Sequence, residues 1–212
     1  MKNGKFITIE GSEGAGKSTA IHYLQTLFTE LKREVIFTRE PGGTQIAEEI
    51  RKVLLFPKSE EKMCADTELL LMFAGRAQHL NHCILPALAA GTWVVSDRYI
   101  DASYAYQGGG RELSMQSIQT LDKLVVGAHY PDLTLLLDVP VDMGLTRTEK
   151  RTGTKDRIEQ EKQDFFERVR KAYLTRAKEV PQRIKVINAA LSLTEVQAQI
   201  RECLLSFIKD VA

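Results

Sequence analysis

The chain has 212 residues, 43% of them hydrophobic, 27% charged and 7% aromatic, with a formal net charge of +1. That length can bury a substantial core without staples, and the near-neutral charge argues against a dedicated nucleic-acid or membrane-surface protein, since nothing global would drive counterion release. No apolar run approaches the roughly 20 residues of a membrane span.

The N-terminus, MKNGKFITIE, runs straight into a strand without signal-peptide architecture. Cys64, Cys83 and Cys203 are odd in number, far apart and free of any C-x-x-C pattern, so they read as reduced thiols of a soluble cytoplasmic protein. In chain order, nearly continuous Val, Ile and Leu runs predict strands at 5–10, 34–39, 92–97, 132–139 and 183–188, buried on both faces. Helical patterns lie between and after them at 17–32, 44–55, 66–90, 114–127, 141–149, 159–179 and 193–209. Strand–helix alternation implies an α/β fold: a parallel five-stranded sheet flanked by helices in three layers. No Pro/Gly/Ser-rich linker divides residues 1–212, so a single domain is expected. In such folds ligands bind at the carboxyl ends of the strands, where Glu10 to Lys17, Arg39 to Gly43 and Asp97 to Tyr99 fall.

The first of these loops carries the strongest signal. Gly11, Gly16, Lys17 and Ser18 meet the pattern G-x-x-x-x-G-K-[S/T] between a strand and a helix. Glycines let the backbone curl until successive N–H groups face phosphate oxygens, and the helix beginning at Lys17 adds its positive end. Residues Gly11, Ser12, Glu13, Gly14, Ala15, Gly16, Lys17, Ser18 and Thr19 are thus candidates for a nucleoside triphosphate cradle. Lys17 would bridge the β- and γ-phosphates and the Ser18 hydroxyl would ligate Mg²⁺. The alternative, a chance glycine-rich turn, does not explain the strand–helix context. No N-K-x-D guanine-reading segment accompanies the loop.

Three further segments, TREPGG (38–43), FAGRAQH (73–79) and SDRYIDASYAYQGGGR (96–111), stand in order behind GSEGAGKST. Together they closely resemble the thymidylate kinases over essentially the whole chain. The resemblance implies a P-loop NTPase-type fold, a homodimer, and transfer of the ATP γ-phosphoryl group to dTMP in dTTP biosynthesis, with ATP and Mg²⁺ required and neither nucleic acid nor membrane as partner. By the same resemblance Arg39 would clamp the dTMP phosphate, and Arg98 would reach the phosphate being phosphorylated. Asp97 would lie near Mg²⁺ or its waters. Glu13 would accept from the 3′-hydroxyl, which suits an acceptor-only carboxylate.

For the base, Arg76 resembles the arginine that donates to thymine O4. The family commonly places an aromatic residue four positions earlier; here that position is Met72, with Phe73 beside it, so either could meet the pyrimidine. Ser103 looks like the residue at the N3 edge and Tyr106 like the ring beneath the deoxyribose. Gln107 follows, and Gly108–Gly110 read as a flexible turn ending in Arg111. Segment 147–157 sets Arg147, Lys150, Arg151, Lys155 and Arg157 against Glu149 and Asp156, the charge pattern of a lid closing over ATP. Since the P-loop holds no arginine, the lid is expected to supply the catalytic one, with Arg151 favoured and Arg147 and Arg157 close behind. His79 and His82 sit three apart on a helix without a third metal ligand in view. Other readings left open are a different P-loop nucleotide or nucleoside kinase, and a non-catalytic ATP-binding regulator.

Overall fold

The computed structural model describes residues 4–57, 61–149 and 156–211. Its strands are β1 (Phe6–Glu10), β2 (Val35–Arg39), β3 (Trp93–Asp97), β4 (Leu133–Asp138) and β5 (Ile184–Asn188), paired in the order β2-β3-β1-β4-β5. All the pairings are parallel. The helices are α1 (Lys17–Glu30), α2 (Gln45–Leu55), α3 (Ala65–His79), α4 (Leu85–Ala89), α5 (Ile100–Ser103), α6 (Met115–Val125), α7 (Val141–Glu149), α8 (Gln163–Glu179) and α9 (Leu193–Asp210). None of the described helices is long and apolar enough to cross a membrane.

Alternation along β1 sets the layers, because successive strand side chains point to opposite faces. Ile7 and Ile9 join the core beneath α1 and α9 with Leu24, Phe28, Ile200 and Leu204. Phe6, Thr8 and Glu10 take the other face, toward α3, α5 and α8. There Thr8 Oγ1 and Thr134 Oγ1 share a buried hydrogen bond of 2.7 Å. The central strands β1, β3 and β4 are buried nearly throughout. The edge strands β2 and β5 are not: β2 is half-buried and β5 exposes Lys185 and Val186. Burial on both faces therefore fails at the two edges, where a strand has a neighbour on one side only.

Two helical segments differ from expectation. The helix expected over 66–90 is interrupted by a π-helical stretch, Leu80–Ile84, before α4. Pro86 at the start of α4 has no N–H to give the preceding turn, and the wider turn absorbs the mismatch. The expected flexible turn at Gly108–Gly110 is instead the end of a second π-helical stretch, Tyr104–Gly110, running on from α5. It packs against α8 so closely that a Cβ on Gly109 would lie 2.6 Å from Ala172 Cβ, and one on Gly110 2.5 Å from the Phe165 ring. These glycines allow close approach of backbone to helix, which reads in a sequence like a loop.

Asp101 fastens this site-bearing segment to the rest. Its buried carboxylate accepts from Arg183 Nη1 at 2.6 Å and Nη2 at 3.0 Å, and from Arg176 Nη2 at 3.2 Å. Removing one partner of a buried pair strands the other charge. Asp101→Ala is expected to lower unfolding stability by about 3–5 kcal/mol, read from urea denaturation; a loss below 1 kcal/mol would rule out this anchoring.

Candidate active site

After β1 the chain curls through Gly14 and Gly16, whose φ angles of 70° and 93° are left-handed. At Gly14 space is also closed, since a Cβ would run into the Gly144 carbonyl of α7. Gly16 caps α1 without a side-chain acceptor, whereas α9 has a full Ser192–Glu195 capping box. The first-turn N–H groups of α1 therefore remain for an anion. Lys17 folds over this loop, its Nζ donating to the carbonyls of Gly11 at 3.0 Å and Ser12 at 3.1 Å. Burial, with the Arg98 charge nearby, lowers its pKa.

Parallel register sets Arg39 and Ile9 each beside Asp97, so the tips of β1, β2 and β3 open together onto a cavity of about 290 Å³. Lys17, Ser18, Arg39, Arg76, Asp97 and Arg98 all line it. Arg98 takes φ = 69° and is held there from both sides. Its N–H donates to Ile9 O at 2.9 Å, and its carbonyl accepts from Ser96 Oγ at 2.7 Å. The next N–H, that of Tyr99, donates to buried Glu10 at 2.8 Å, and Tyr173 Oη donates to the other Glu10 oxygen at 2.7 Å. Burial, reinforced by the Asp101 charge, raises the Glu10 pKa to about 7.

The Arg98 guanidinium donates to Glu13 Oε1 at 2.7 Å and to Tyr106 Oη at 2.8 Å, and Tyr106 Oη donates to Glu13 at 3.1 Å. Glu13, Arg98 and Tyr106 thus form one hydrogen-bonded triangle. Arg98 Nε and Asp97 Oδ1 are buried with no hydrogen-bond partner among the described residues. A donor and an acceptor so placed at the mouth of a phosphate loop suit a phosphate and a cation, respectively.

Behind them lies a pocket with few degrees of freedom. Buried Arg76 donates through Nε to Glu40 at 2.8 Å, through Nη1 to Ser103 Oγ at 3.0 Å and through Nη2 to Tyr99 O at 2.9 Å. Its guanidinium lies over the Phe73 ring, 4.8 Å from the centroid. Phe73 is fully buried and outside the cavity, whereas Met72 lines it with Ser103, Tyr106 and Gln107. Arg39 pairs with Glu48 at 2.9 Å and is half-exposed.

A second cavity, of about 220 Å³, opens on the other side of the P-loop. Ala15, Thr19 and Arg147 border it, and Gly16 borders both cavities. Arg147 donates to Ala189 O at 3.1 Å. Arg157 lines neither cavity: its Nε donates to Leu54 O at 3.0 Å and its Nη2 lies 2.7 Å from Glu68 Oε2. Arg151, like Lys150 and Lys155, lies outside the described residues.

The thymidylate kinase family profile matches residues 9–200. The chain belongs to the thymidylate kinase family. It is 57% identical to the thymidylate kinase of Pseudomonas putida strain GB-1 over 93% of both chains. It is 52% identical to that of Ruthia magnifica, over 95% of this chain and 97% of the other. The crystal structure of thymidylate kinase from Ehrlichia chaffeensis superposes with a TM-score of 0.77 at 33% identity, covering 96% of this chain and 99% of that one. In this family member the glycine-rich loop after β1 borders both cavities.

Sequence reasoning overlooked three contributors. Arg51 lines the cavity and donates to Pro41 O at 2.8 Å. Its spacing from Ala47 and Leu55, one helical turn either way, puts it on the inner face of α2 and could have exposed it. Glu40, named only within TREPGG, is the buried acid beneath Arg76. His79 completes the group, so it is no metal ligand in this arrangement: its Nδ1 meets Glu40 at 3.0 Å and its Nε2 meets Thr38 Oγ1 at 2.7 Å. Burial alone would lower the His79 pKa, but hydrogen bonds to Cys83 and Glu40 and the Glu40 charge outweigh it and push the value up to about 9.

His79 is therefore protonated in the fold at neutral pH, with both ring nitrogens donating. A histidine whose folded pKa exceeds its ordinary 6.5 adds stability that is complete below 6.5 and lost as pH rises through about 9. Between those values the wild-type Tm is expected to fall several degrees further than that of His79→Gln, followed by scanning calorimetry. Parallel curves across the window would remove the assigned charge.

Proposed function

We propose that this chain transfers the γ-phosphoryl group of ATP to dTMP, giving dTDP and ADP. The observation that carries the reading is the single cavity in which the phosphate loop of β1 faces the guanidinium groups of Arg39 and Arg98, with the Arg76 pocket behind. Two anions must meet there, and their repulsion is the main obstacle to reaction. A dTMP phosphate oxygen attacks the γ-phosphorus while the bond to the ADP oxygen breaks. That oxygen is already nucleophilic, so no covalent enzyme intermediate is needed and catalysis is positioning and charge stabilisation.

Lys17 leaves the Gly11 and Ser12 carbonyls for the β- and γ-phosphates. Arg98 turns its unpaired Nε toward the transferring group, and Arg39 and Arg51 hold the dTMP phosphate from the β2–α2 side. Glu13 accepts from the 3′-hydroxyl, and Tyr106 closes the space a 2′-hydroxyl would take. Arg76, Ser103, Gln107 and Met72 hold the pyrimidine. Arg147 borders the second cavity, which suits the donor's base. Mg²⁺, when bound, neutralises phosphate charge, and the Ser18 hydroxyl and Asp97 carboxylate would hold it. Arg151 remains the proposed lid arginine.

Cytoplasmic location is inferred from the free thiols of Cys64, Cys83 and Cys203. A homodimer is also inferred, supported by Ile46 and Val53, which are exposed two helical turns apart on α2.

ADP release measured across dTMP, dUMP, UMP, CMP, AMP and thymidine tests the assignment. dTMP is expected to give the highest kcat/KM; best turnover on any other acceptor, or ATP binding without transfer, would overturn it. Lys17→Ala is expected to cut kcat by about 10²–10³-fold while calorimetry still detects dTMP binding. Unchanged turnover would contradict the role given to the loop.

A further inference from the structure

Glu68 on α3 is 1% exposed and does not line the cavity. Its carboxylate nevertheless collects hydrogen bonds from one segment of the chain and an ion pair from another. Gln107 Nε2 donates to Oε1 at 2.8 Å, Arg111 Nε donates to Oε2 at 3.1 Å, and Arg157 Nη2 lies 2.7 Å from Oε2. Burial would raise the Glu68 carboxyl, but the Gln107 hydrogen bond and the charges of Arg111 and Arg157 outweigh it and hold the pKa below the ordinary range. Glu68 is thus ionised and can only accept.

An amide has one donor end and one acceptor end, and a neighbour that only accepts decides which way it faces. Glu68 takes the donor end of Gln107. Among the described residues no donor meets the carbonyl end, Gln107 Oε1, although Gln107 is 1% exposed and borders the cavity beside Met72 and Ser103. Oε1 is not one of the buried atoms left without a partner, so this oxygen is open to the cavity, where it can only accept and a ligand N–H can reach it.

We propose that Glu68 is a positioning residue that selects the pyrimidine: it holds the Gln107 amide with its carbonyl toward the base, so that the pocket takes a ring bearing N3–H and rejects one bearing an N3 lone pair. Thymine and uracil carry that hydrogen; cytosine presents a lone pair instead, which would face Oε1 oxygen to nitrogen with no proton between. The inference rests on the reading of the site as a pyrimidine monophosphate pocket and adds to it a residue outside that pocket. Gln107 cannot set this selection alone, because its two ends differ little in shape.

The test compares kcat/KM for dTMP and dCMP, with saturating ATP, in wild type, Glu68→Gln, Gln107→Leu and the double variant. In Glu68→Gln the new amide can offer a donor, Gln107 is free to turn over, and the dTMP:dCMP ratio is expected to fall about tenfold, mainly through dTMP KM. The KM for ATP should hold. On the Gln107→Leu background Glu68→Gln should move the ratio no further, since its route to the base is gone. A ratio unchanged while both acceptors lose turnover together, or equal effects on both backgrounds, would overturn the proposal. A wild type that prefers dCMP or a purine acceptor would overturn the dTMP assignment itself; the Glu68 role alone fails when wild type prefers dTMP but the ratio does not move.

Should Glu68→Gln not fold, the side-chain amide resonances of Gln107 in ¹⁵N-labelled wild type decide the matter, assigned by their loss in Gln107→Leu. They are expected to stay at their carboxylate-bonded position when dTMP binds. Movement of those amide protons onto the base would overturn the proposal.

Discussion

A carboxylate without water around it must be surrounded by donors, and Glu40 governs the site in this way. Buried after β2, it receives Arg76 on one oxygen and His79 on the other. Stripping hydration from these ions costs several kcal/mol each, so the arrangement persists only if every partner is in place. That demand dictates the local geometry. Arg76 is fixed over Phe73, its remaining N–H groups are directed to Ser103 and the Tyr99 carbonyl, and the loop that carries Arg39 and Pro41 is tied to α3. A pocket built on one fully satisfied ion group has little freedom to change shape.

The same device recurs around the cavity. Glu10 fixes the peptide after Arg98, Asp101 fixes the segment carrying Ser103, and Glu68 fixes Gln107. None of Glu10, Asp101 or Glu68 lines the cavity. Each holds in place a segment that does, so the groups lining the cavity have their orientation already set. Pre-setting is what phosphoryl transfer asks of a protein, since there is little covalent chemistry for it to perform. The left-handed Arg98 shows the cost and its remedy: a backbone angle rare for a non-glycine residue is kept by hydrogen bonds on both flanking peptides.

The strands and the phosphate loop were legible because their signals are local. Apolar runs, glycine spacing and a lysine before a helix follow from chain geometry within a few residues. Met72 and Phe73 were not separable in this way, because neighbours on a helix differ by 100° or so and only packing decides which faces the cavity. Arg157 shows a second limit. In a basic run it resembles its neighbours, yet its guanidinium is taken by Leu54 O and Glu68, residues about ninety or more positions earlier. Gly108–Gly110 show a third, since glycine permits both looseness and close packing, and only α8 tells which.

The sequence by itself determined that a parallel sheet would gather its loops at one end, that a glycine-rich loop would lead from the first strand into a helix opening with lysine, and that arginines would follow the second and third strands. Such facts depend on residue type and spacing, which the chain carries wherever it folds. Tertiary structure decided which buried acid each arginine meets, which of two adjacent side chains reaches the cavity, and which end of an amide is offered to a ligand. Those choices arise from desolvation, and desolvation exists only once distant segments have excluded water together.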